Sequence, residues 1–577
     1  MPGFILIPRG TFAFFLFALF SFSNASTDIP IARHYRAFGP LPYTSSERGL
    51  EPLKVLPFYS TVLDTLLSLK TFPSESAVGG KASWRDCPYN KSAKGVITAP
   101  FPDADRHLPY NAWAVANFSI QKYIGRPHLV QCSNPATIKL RQAFPSFESR
   151  VNLSSPSSEI SCPGDVYEDG RSICSARLWP GSYQILVQLS SFSNSSSFYC
   201  NFFTDPAGLS SNLLLTIDDI VTPHVVLKMR NDRAVATLAG AHCSFTLMNT
   251  HDQEWATGGS AELRDAPDGL KLRPQSQSDS HFPLPRIAPR QVHQLRIDFF
   301  TEPDFLNQTA ADGRLPESLN ITIAVSYQIA DAQHESLIEL SFDVAVWSEL
   351  TSYHFTYIDV DGSVQAAAVL PPRQNCVGAP AGDDKCSVLL STHGAGVDAV
   401  GRAWTESYQV QNQSWVLLPT GRRKFGMNWE GPQLNSAITA LRKFAEDLPG
   451  VPTDEKDLWK VRGDRWLQAG HSMGGHGALL LSTHYPDMLV AALPAMGWLR
   501  LSTSGEAAYK EQLPYSDAAS RALLSLASSE YSADLYAENL LGIPFLARVG
   551  SDDDNVPRRF SFRRQVGRTL SIRIASY

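Results

Sequence analysis

The chain has 577 residues, of which 43% are hydrophobic and 18% charged, and its formal net charge is -6 at pH 7. This length exceeds what one hydrophobic core supports, so roughly two to four domains are expected. The mild charge argues against a dedicated nucleic-acid surface, and we expect no nucleic-acid partner.

The N-terminus predicts a signal peptide over residues 1–25. Arg9 supplies positive charge, Thr11 to Phe22 is an apolar run, and Ser23-Asn24-Ala25 fits a small-residue cleavage site. The run is shorter than the ~20 apolar residues of a spanning helix, and the alternative is a signal anchor. We therefore expect a secreted, extracellular protein without stable membrane insertion.

Glycosylation signals and cysteines agree with secretion. N-x-S/T sequons predict glycosylation of Asn90, Asn117, Asn152, Asn194, Asn307, Asn320 and Asn412. Of the eight cysteines, Cys162 with Cys174 and Cys376 with Cys386 are close enough in sequence to close small disulfide loops. The pairing of the other four is left open. Histidine and cysteine are not grouped at zinc-ligand spacing, so we expect no metal site and no cofactor.

The N-terminal half reads as β-rich. Short alternating apolar runs, such as Ser182–Leu189, are broken by turns and predict an antiparallel sandwich-type module over residues 26–235. Runs such as Val292–Phe299 and Leu319–Tyr327 predict a second sandwich-like module over residues 236–348.

The pattern changes near residue 352 and predicts an α/β domain over residues 349–557. A hairpin around Asp361-Gly362 comes first. Buried-strand candidates then alternate with helical ones; they are Ser387–Ser391, Trp415–Pro419, Leu434–Leu448 (helical), Trp466–Ala469, Leu489–Ala495 and Pro544–Val549. Such alternation is typical of a doubly wound sheet.

A G-x-S-x-G pentapeptide, Gly470-His471-Ser472-Met473-Gly474, lies between an apolar run and a helical pattern. This context predicts a nucleophile elbow, in which a strained turn exposes the serine hydroxyl above a parallel sheet. Glycines flank the serine because the turn brings backbone segments close together. We interpret Ser472 as a nucleophile; the alternative is a tight structural turn.

An acyl-transfer serine also needs an oxyanion hole. His393 is followed by Gly394, Ala395 and Gly396, directly after the strand 387–391 and upstream of the elbow. In α/β hydrolases this loop supplies one backbone N–H donor, and the residue after the nucleophile, here Met473, supplies the other. The alternative is a plain glycine-rich turn.

The expected acid lies in the loop after the strand 544–549. Asp552, Asp553 and Asp554 are adjacent there, at the carboxyl end of the strand and downstream of the serine. The alternative is a solvated acidic turn.

The expected base is missing, because no histidine follows Asp554 in the sequence. His393, His471, His476 and His484 read as loop-shaping, packing or helix-end residues. Six arginines mark residues 558–577, which we expect to be an atypical basic tail without the final strand. The α/β domain would then be C-terminally incomplete, through an altered reading frame or a truncated isoform; a divergent ending is the alternative.

Residues 352–557 resemble the catalytic domain of the prolyl oligopeptidase family of serine peptidases. The motifs that carry the resemblance are THGAG at 392–396, GMNWEG at 426–431, AGHSMGGHGA at 469–478 and GSDDDNVP at 550–557. The resemblance implies an α/β-hydrolase fold and Asp553 as the acid. Two features depart from the family: its histidine is absent, and the 393–404 loop has no tyrosine for the oxyanion hole.

The leading hypothesis is a secreted serine peptidase that uses acyl-enzyme chemistry on a peptide substrate. A carboxylic ester hydrolase acting on plant-wall acyl esters would use the same elbow. A third hypothesis is an extracellular binding protein that lacks catalysis because the base is missing.

Overall fold

The computed structural model describes about two thirds of the chain. The described residues are 29–30, 32, 34–42, 71–73, 81–87, 89–90, 96–100, 110–121, 128–133, 137–142, 160–163, 171–191, 195–198, 200–203, 213–230, 233–251, 253–273, 282–302, 317–380, 383–422, 428–500, 518–553, 556 and 573–576. The predicted signal peptide lies outside them. Among them, no helix is both long and apolar enough to cross a membrane.

The first module is built from antiparallel strands. They are β1 (Ile29–Pro30), β2 (Tyr35–Pro42), β3 (Thr71–Pro73), β4 (Lys81–Cys87), β5 (Tyr89–Asn90), β6 (Val96–Pro100), β7 (Tyr110–Ile120), β8 (His128–Ser133), β9 (Thr137–Gln142), β10 (Ile160–Pro163), β11 (Arg171–Ala176), β12 (Gly181–Ser191), β13 (Ser195–Phe198) and β14 (Cys200–Phe203). Sheets of order β10-β9-β12-β7-β2-β4-β3 and β1-β14-β8-β11 share one core, and β13-β6-β5 form a third sheet. The two larger sheets lie on either side of this core and form a β-sandwich.

Three disulfides are present. Cys162 is joined to Cys174 and Cys376 to Cys386, the two pairs that the sequence suggested. The third joins Cys132 to Cys200 on neighbouring strands, at a sequence separation of 68. The remaining cysteines, Cys87 and Cys243, are buried thiols.

The second module is also a β-sandwich. Its strands are β15 (Leu213–Val221), β16 (Val225–Arg230), β17 (Arg233–Leu238), β18 (His242–Asn249), β19 (Ala256–Asp265), β20 (Leu270–Leu272), β21 (Phe282–Leu284), β22 (Val292–Thr301), β23 (Ser318–Ile329) and β24 (Ala332–Val346). Sheets of order β15-β18-β22-β20 and β17-β16-β24-β23-β19-β21 enclose a shared core.

The expected boundary at residue 235 is wrong. β15 pairs with β18, and β16 pairs in parallel with β24, so both belong to the second sandwich. Val225 pairs with Val344 across more than a hundred residues, and such long-range pairing leaves no local mark on the sequence. The second sandwich therefore begins at or before Leu213.

Asp298 is expected to stabilise this sandwich. Its carboxylate lies 2.7 Å from His242 Nδ1 and accepts hydrogen bonds from Arg296 at 2.6 and 2.7 Å. Burial alone would raise the pKa of Asp298, but these hydrogen bonds lower it to about 2. Since the folded pKa lies below the unfolded one, the stabilisation is present above about pH 4 and is lost as pH falls toward 2.

We therefore expect Asp298→Asn to cost on the order of 2 kcal/mol at neutral pH and much less near pH 2.5. Calorimetric unfolding midpoints at the two pH values would measure this. Asp343→Asn is the control, because the Asp343 side chain is 70% exposed in its pair with His224. Equal losses for both variants at both pH values would contradict the assignment.

The third module is an α/β domain around one mixed sheet. Its strands are β25 (Tyr353–Ile358), β26 (Val364–Leu370), β27 (Ser387–Thr392), β28 (Ser414–Pro419), β29 (Trp466–His471), β30 (Leu489–Ala495), β31 (Leu546–Val549) and β32 (Arg573–Ser576). They follow the order β25-β26-β28-β27-β29-β30-β31-β32, and all pairs from β28 to β32 are parallel.

Helices connect these strands. They are α1 (Arg402–Thr405), α2 (Pro432–Asp447), α3 (Met473–His484) and α4 (Ala518–Ala527), with 3-10 turns at Trp347–Glu349, Thr453–Trp459, Pro486–Met488, Ser529–Tyr531 and Ala533–Leu540. α2 is amphipathic: Pro432 starts it, Leu448 closes it in a left-handed conformation, and its apolar face packs in the core. The helix predicted at 434–448 is present, and each of its ends lies within two residues of the predicted end.

The expectation that the tail adds no strand is wrong. Residues 573–576 form β32, which pairs in parallel with β31 from Leu546↔Arg573 to Val549↔Ser576. Apolar residues alternate with polar ones at Leu570, Ile572 and Ile574, and this period of two is the signal of a strand. The expectation of a tail without a strand was based on the arginines and did not take this alternation into account. The sheet of the domain therefore has an eighth strand, and the expectation that this strand is missing does not hold.

A clasp joins the second sandwich to the α/β domain. Lys228 of β16 forms an ion pair with Glu455. Its ammonium group also lies 4.8 Å from the ring centre of Trp347 and 4.9 Å from that of Trp459. Both charged side chains are 17% exposed, so the pair is largely withdrawn from water. We call these four residues the lysine clasp.

Three predicted glycosylation sites are accessible. Asn117, Asn320 and Asn412 are exposed. Asn90 lies in β5, but its side chain is outside the described part, as are Asn152, Asn194 and Asn307 entirely. Glycosylation stays a prediction.

Candidate active site

Ser472 occupies a strained turn between β29 and α3. Its backbone angles are φ 57° and ψ -120°, a conformation that few non-glycine residues adopt. Its N–H donates to the carbonyl of Ala495 at 2.9 Å, and its carbonyl accepts the N–H of His476 at 3.1 Å. The side chain is half-buried. This is the geometry of a nucleophile elbow, at the position that the pentapeptide predicted.

The glycines around Ser472 are required by close backbone packing. A β-carbon on Gly474 would overlap the carbonyl oxygen of Thr392 and lie 2.6 Å from that of His393. A β-carbon on Gly475 would lie 2.8 Å from the nitrogen of Gly497. Thr392 also donates its hydroxyl to the carbonyl of Gly474 at 2.6 Å. The end of β27 and the start of α3 are thereby in direct contact.

The oxyanion loop, residues 393–396, lies beside the serine. A β-carbon on Gly394 would be 3.4 Å from Ser472 Cβ, so Gly394 is adjacent to the nucleophile position. The N–H of Gly394 has no acceptor within the described part of the chain. Met473 begins α3, and the N–H of a first helical residue has no intrahelical acceptor. Ala395 and Gly396 continue the loop as exposed residues.

Three histidines lie near the elbow, and two are occupied elsewhere. His393 is fully buried, with Nδ1 2.9 Å from the Gly394 carbonyl and Nε2 2.8 Å from that of Thr420. Burial lowers the pKa of His393. His476 is also fully buried, and its nitrogens lie 2.7 Å from the Trp498 carbonyl and 3.1 Å from Glu430. These contacts agree with the predicted packing and shaping roles.

His471 is exposed and precedes the serine. The surrounding protein atoms keep part of the solvent from its imidazole ring, and this desolvation lowers the pKa of His471, while Asp553 acts to raise it and Arg548 to lower it. Within the described residues, Ser472 forms no side-chain hydrogen bond with a histidine. Among the residues that the structure describes, the elbow therefore has no histidine in contact with the Ser472 hydroxyl.

The loop that carries the candidate acid follows β31. Asp553 is half-buried, and its Oδ1 accepts the N–H of Val556 at 2.9 Å. Asp552 is exposed, and Asp554 lies outside the described residues. Asp553 is therefore a described aspartate whose carboxylate is held within the loop, and its charge acts to raise the pKa of His471. Among the residues described, no group of His, Cys, Asp or Glu side chains is arranged to hold a metal ion.

Trp429, which carries no role in the sequence motifs, is fully buried behind the oxyanion loop. Its indole Nε1–H donates to the His393 carbonyl at 3.0 Å, and its own N–H donates to Gln433 Oε1 at 2.7 Å. The ring fills the space beside two glycines, because a β-carbon on Gly477 or Gly421 would lie 2.5 or 2.8 Å from a ring atom. These contacts involve distant parts of the sequence, which no local pattern reports.

The strand order and the serine elbow after the fifth strand together form an α/β-hydrolase fold. No protein-family model matches the chain. The chain is 28% identical over 186 residues to an uncharacterized secreted protein of Arthroderma benhamiae, a match covering 30% of this chain and 18% of that protein. The chain thus spans less than a fifth of that relative.

Similar solved structures include hydrolases. A thermostable esterase is 15% identical and covers 62% of this chain and 90% of its own, with a TM-score of 0.25. S-formylglutathione hydrolase (FrmB) from Staphylococcus aureus is 15% identical over 39% of this chain and 90% of its own, with a TM-score of 0.28. A ferulic acid esterase is 18% identical, and the match covers 39% of this chain and 89% of the esterase chain, with a TM-score of 0.26.

Proposed function

We propose that the chain is a secreted serine hydrolase whose nucleophile, Ser472, acts on the acyl carbon of a peptide or carboxylic ester. The observation that carries the proposal is the strained backbone of Ser472 between β29 and α3. Such strain persists only where the surrounding packing holds it, and it is concentrated at functional sites.

The chemistry follows from the elbow and the oxyanion loop. Ser472 Oγ bonds to the acyl carbon, and the carbonyl electron pair moves onto oxygen. The hydroxyl proton must pass to a general base, and among the described residues no histidine side chain is hydrogen-bonded to Ser472 to take it. The N–H groups of Met473 and of the loop at Gly394 would stabilise that oxyanion. Collapse then expels an alcohol or an amine and leaves an acyl-enzyme, which water hydrolyses. Asp553 would orient and stabilise the base.

Secretion is supported by the predicted signal peptide, by the three disulfides, and by the description of the matched fungal protein as secreted. The expected medium is therefore oxidising and extracellular.

A fluorophosphonate probe tests the nucleophile. We expect the full chain to be labelled at Ser472 and the Ser472→Ala variant to remain unlabelled. Ser482→Ala is the matched control, because the Ser482 hydroxyl is buried in the same helix and donates to the Ala478 carbonyl at 2.6 Å. If peptide mapping found no adduct on Ser472 in a folded chain, the binding-protein hypothesis would replace this one.

The leaving group separates the peptidase from the esterase. A proline amide and a feruloyl ester are both attacked by the serine at an acyl carbon, but they differ in the acyl group and in the leaving group, which is an amine in the first and an alcohol in the second. Cleavage of the amide would identify a peptidase, and cleavage of the ester alone would identify an esterase. Failure to cleave either substrate, with Ser472 labelled, would contradict hydrolysis of these two acyl classes.

A further inference from the structure

Trp429 holds the backbone of the oxyanion loop in one orientation. Its indole N–H donates to the carbonyl of His393 at 3.0 Å. That carbonyl belongs to the peptide bond between His393 and Gly394. Because a trans peptide is planar, its C=O and N–H point in opposite directions. Fixing the carbonyl therefore fixes the direction of the Gly394 N–H.

The direction of that N–H suits a donor at the elbow. The His393 carbonyl points toward Trp429 and toward Gly474, where a β-carbon would lie 2.6 Å from it. The Gly394 N–H consequently points away from both residues. Gly394 itself is adjacent to Ser472, since its β-carbon would lie 3.4 Å from Ser472 Cβ.

The next peptide is fixed in the same manner. The carbonyl of Gly394 accepts the N–H of Val397 at 3.2 Å and lies 2.9 Å from His393 Nδ1. The N–H of Ala395 is thereby also held in one direction. The His393 ring packs edge-on against the Trp429 ring at a centroid distance of 5.0 Å, so both peptides depend on the same aromatic pair.

We propose that Trp429 is a positioning residue that preorganises the oxyanion hole by anchoring the His393–Gly394 peptide. The inference rests on the proposed function for its catalytic consequence, but the orientation of the peptide is a property of the folded chain alone. Preorganised donors contribute because they need no reorganisation when charge develops on the substrate oxygen.

The test removes the indole N–H and keeps a buried ring. In Trp429→Phe, we expect Ser472 labelling by fluorophosphonate to slow roughly tenfold or more, since loss of one oxyanion donor costs about 10²–10³ in rate. Affinity for a trifluoromethyl ketone, which forms a tetrahedral anion, should fall by the same factor while KM for an ester changes little.

Trp466→Phe is the matched control. Trp466 is equally buried and donates its indole N–H to Gln468 Oε1 at 3.0 Å, away from the oxyanion loop. We expect its labelling rate and ketone affinity to match those of the unmodified chain. Equal rates for Trp429→Phe and Trp466→Phe, with Ser472 labelled in both, would overturn the positioning role and leave the proposed function intact.

A readout without catalysis separates the two proposals. Crystal structures of the unmodified chain and of Trp429→Phe should differ in the direction of the His393 carbonyl. If Ser472 were never labelled, the proposed function would fail, and a rotated carbonyl in the variant would still support the anchoring. An unmoved carbonyl would overturn the anchoring whatever the labelling result.

Discussion

Gly474→Ala is expected to destabilise the α/β domain by at least about 3 kcal/mol, because an added methyl has nowhere to go. Its β-carbon would overlap the carbonyl of Thr392 and lie 2.6 Å from the carbonyl of His393. Both obstacles are backbone atoms, which cannot rotate aside as a flexible side chain can. Relief requires that α3 and the end of β27 move apart, and the elbow would be lost with them.

Gly542→Ala is the matched control. Gly542 has φ +82°, and a β-carbon there meets nothing within 4 Å. It should lose only the left-handed backbone cost, about 1–2 kcal/mol. Unfolding midpoints by calorimetry, together with the soluble yield, measure the difference. Similar losses for the two variants would show that the contact between α3 and β27 is looser than the structure indicates.

Arg422→Met is expected to cost about 3 kcal/mol, because it leaves a buried carboxylate unpaired. The Asp359 side chain is 0% exposed and lies 2.7 Å from Arg422 Nη2, while Nη1 lies 2.7 Å from Asp361. Ser436 also donates to Asp359, which ties this charge to α2. Methionine keeps most of the side-chain volume and removes only the guanidinium.

A double variant identifies the cause. Asp359→Asn combined with Arg422→Met should lose less than Arg422→Met alone, since the uncompensated charge is gone. Arg402→Met is the surface control, because its ion pair with Glu406 is 3.9 Å long and its side chain is 88% exposed. It should stay within about 0.5 kcal/mol of the unmodified chain. A double variant as unstable as the single one would rule out buried charge as the cause.

Local patterns predicted the parts of the α/β domain that depend on neighbouring residues. The strand 387–391, the helix after Pro432 and the serine turn all have a period or a glycine spacing that can be read in one short window. The positions of the oxyanion loop and the acid loop could be predicted from these strands, because both loops lie at the carboxyl ends of strands.

Contacts between distant segments could not be predicted in the same way. The pairing of Val225 with Val344 moved a boundary, and the bond from Trp429 to His393 crosses 36 residues. β32 was missed for another reason, since its alternation is short and was outweighed by the charge of its arginines. The reactive side chains of one loop can be recognised in a sequence, whereas the distant residues that pack against that loop cannot.

The lysine clasp has a practical consequence for expressing this protein in pieces. A fragment that starts at residue 349 would lose Lys228 and Trp347 while keeping Glu455 and Trp459. Trp347 packs edge-on against Trp415 and Trp459, at 5.9 and 5.0 Å between ring centres, so its removal would open the core to water. If such a fragment were inactive, the cause could be the loss of the packing that Trp347 and Lys228 provide. The shortest fragment suitable for enzymology therefore includes the second sandwich.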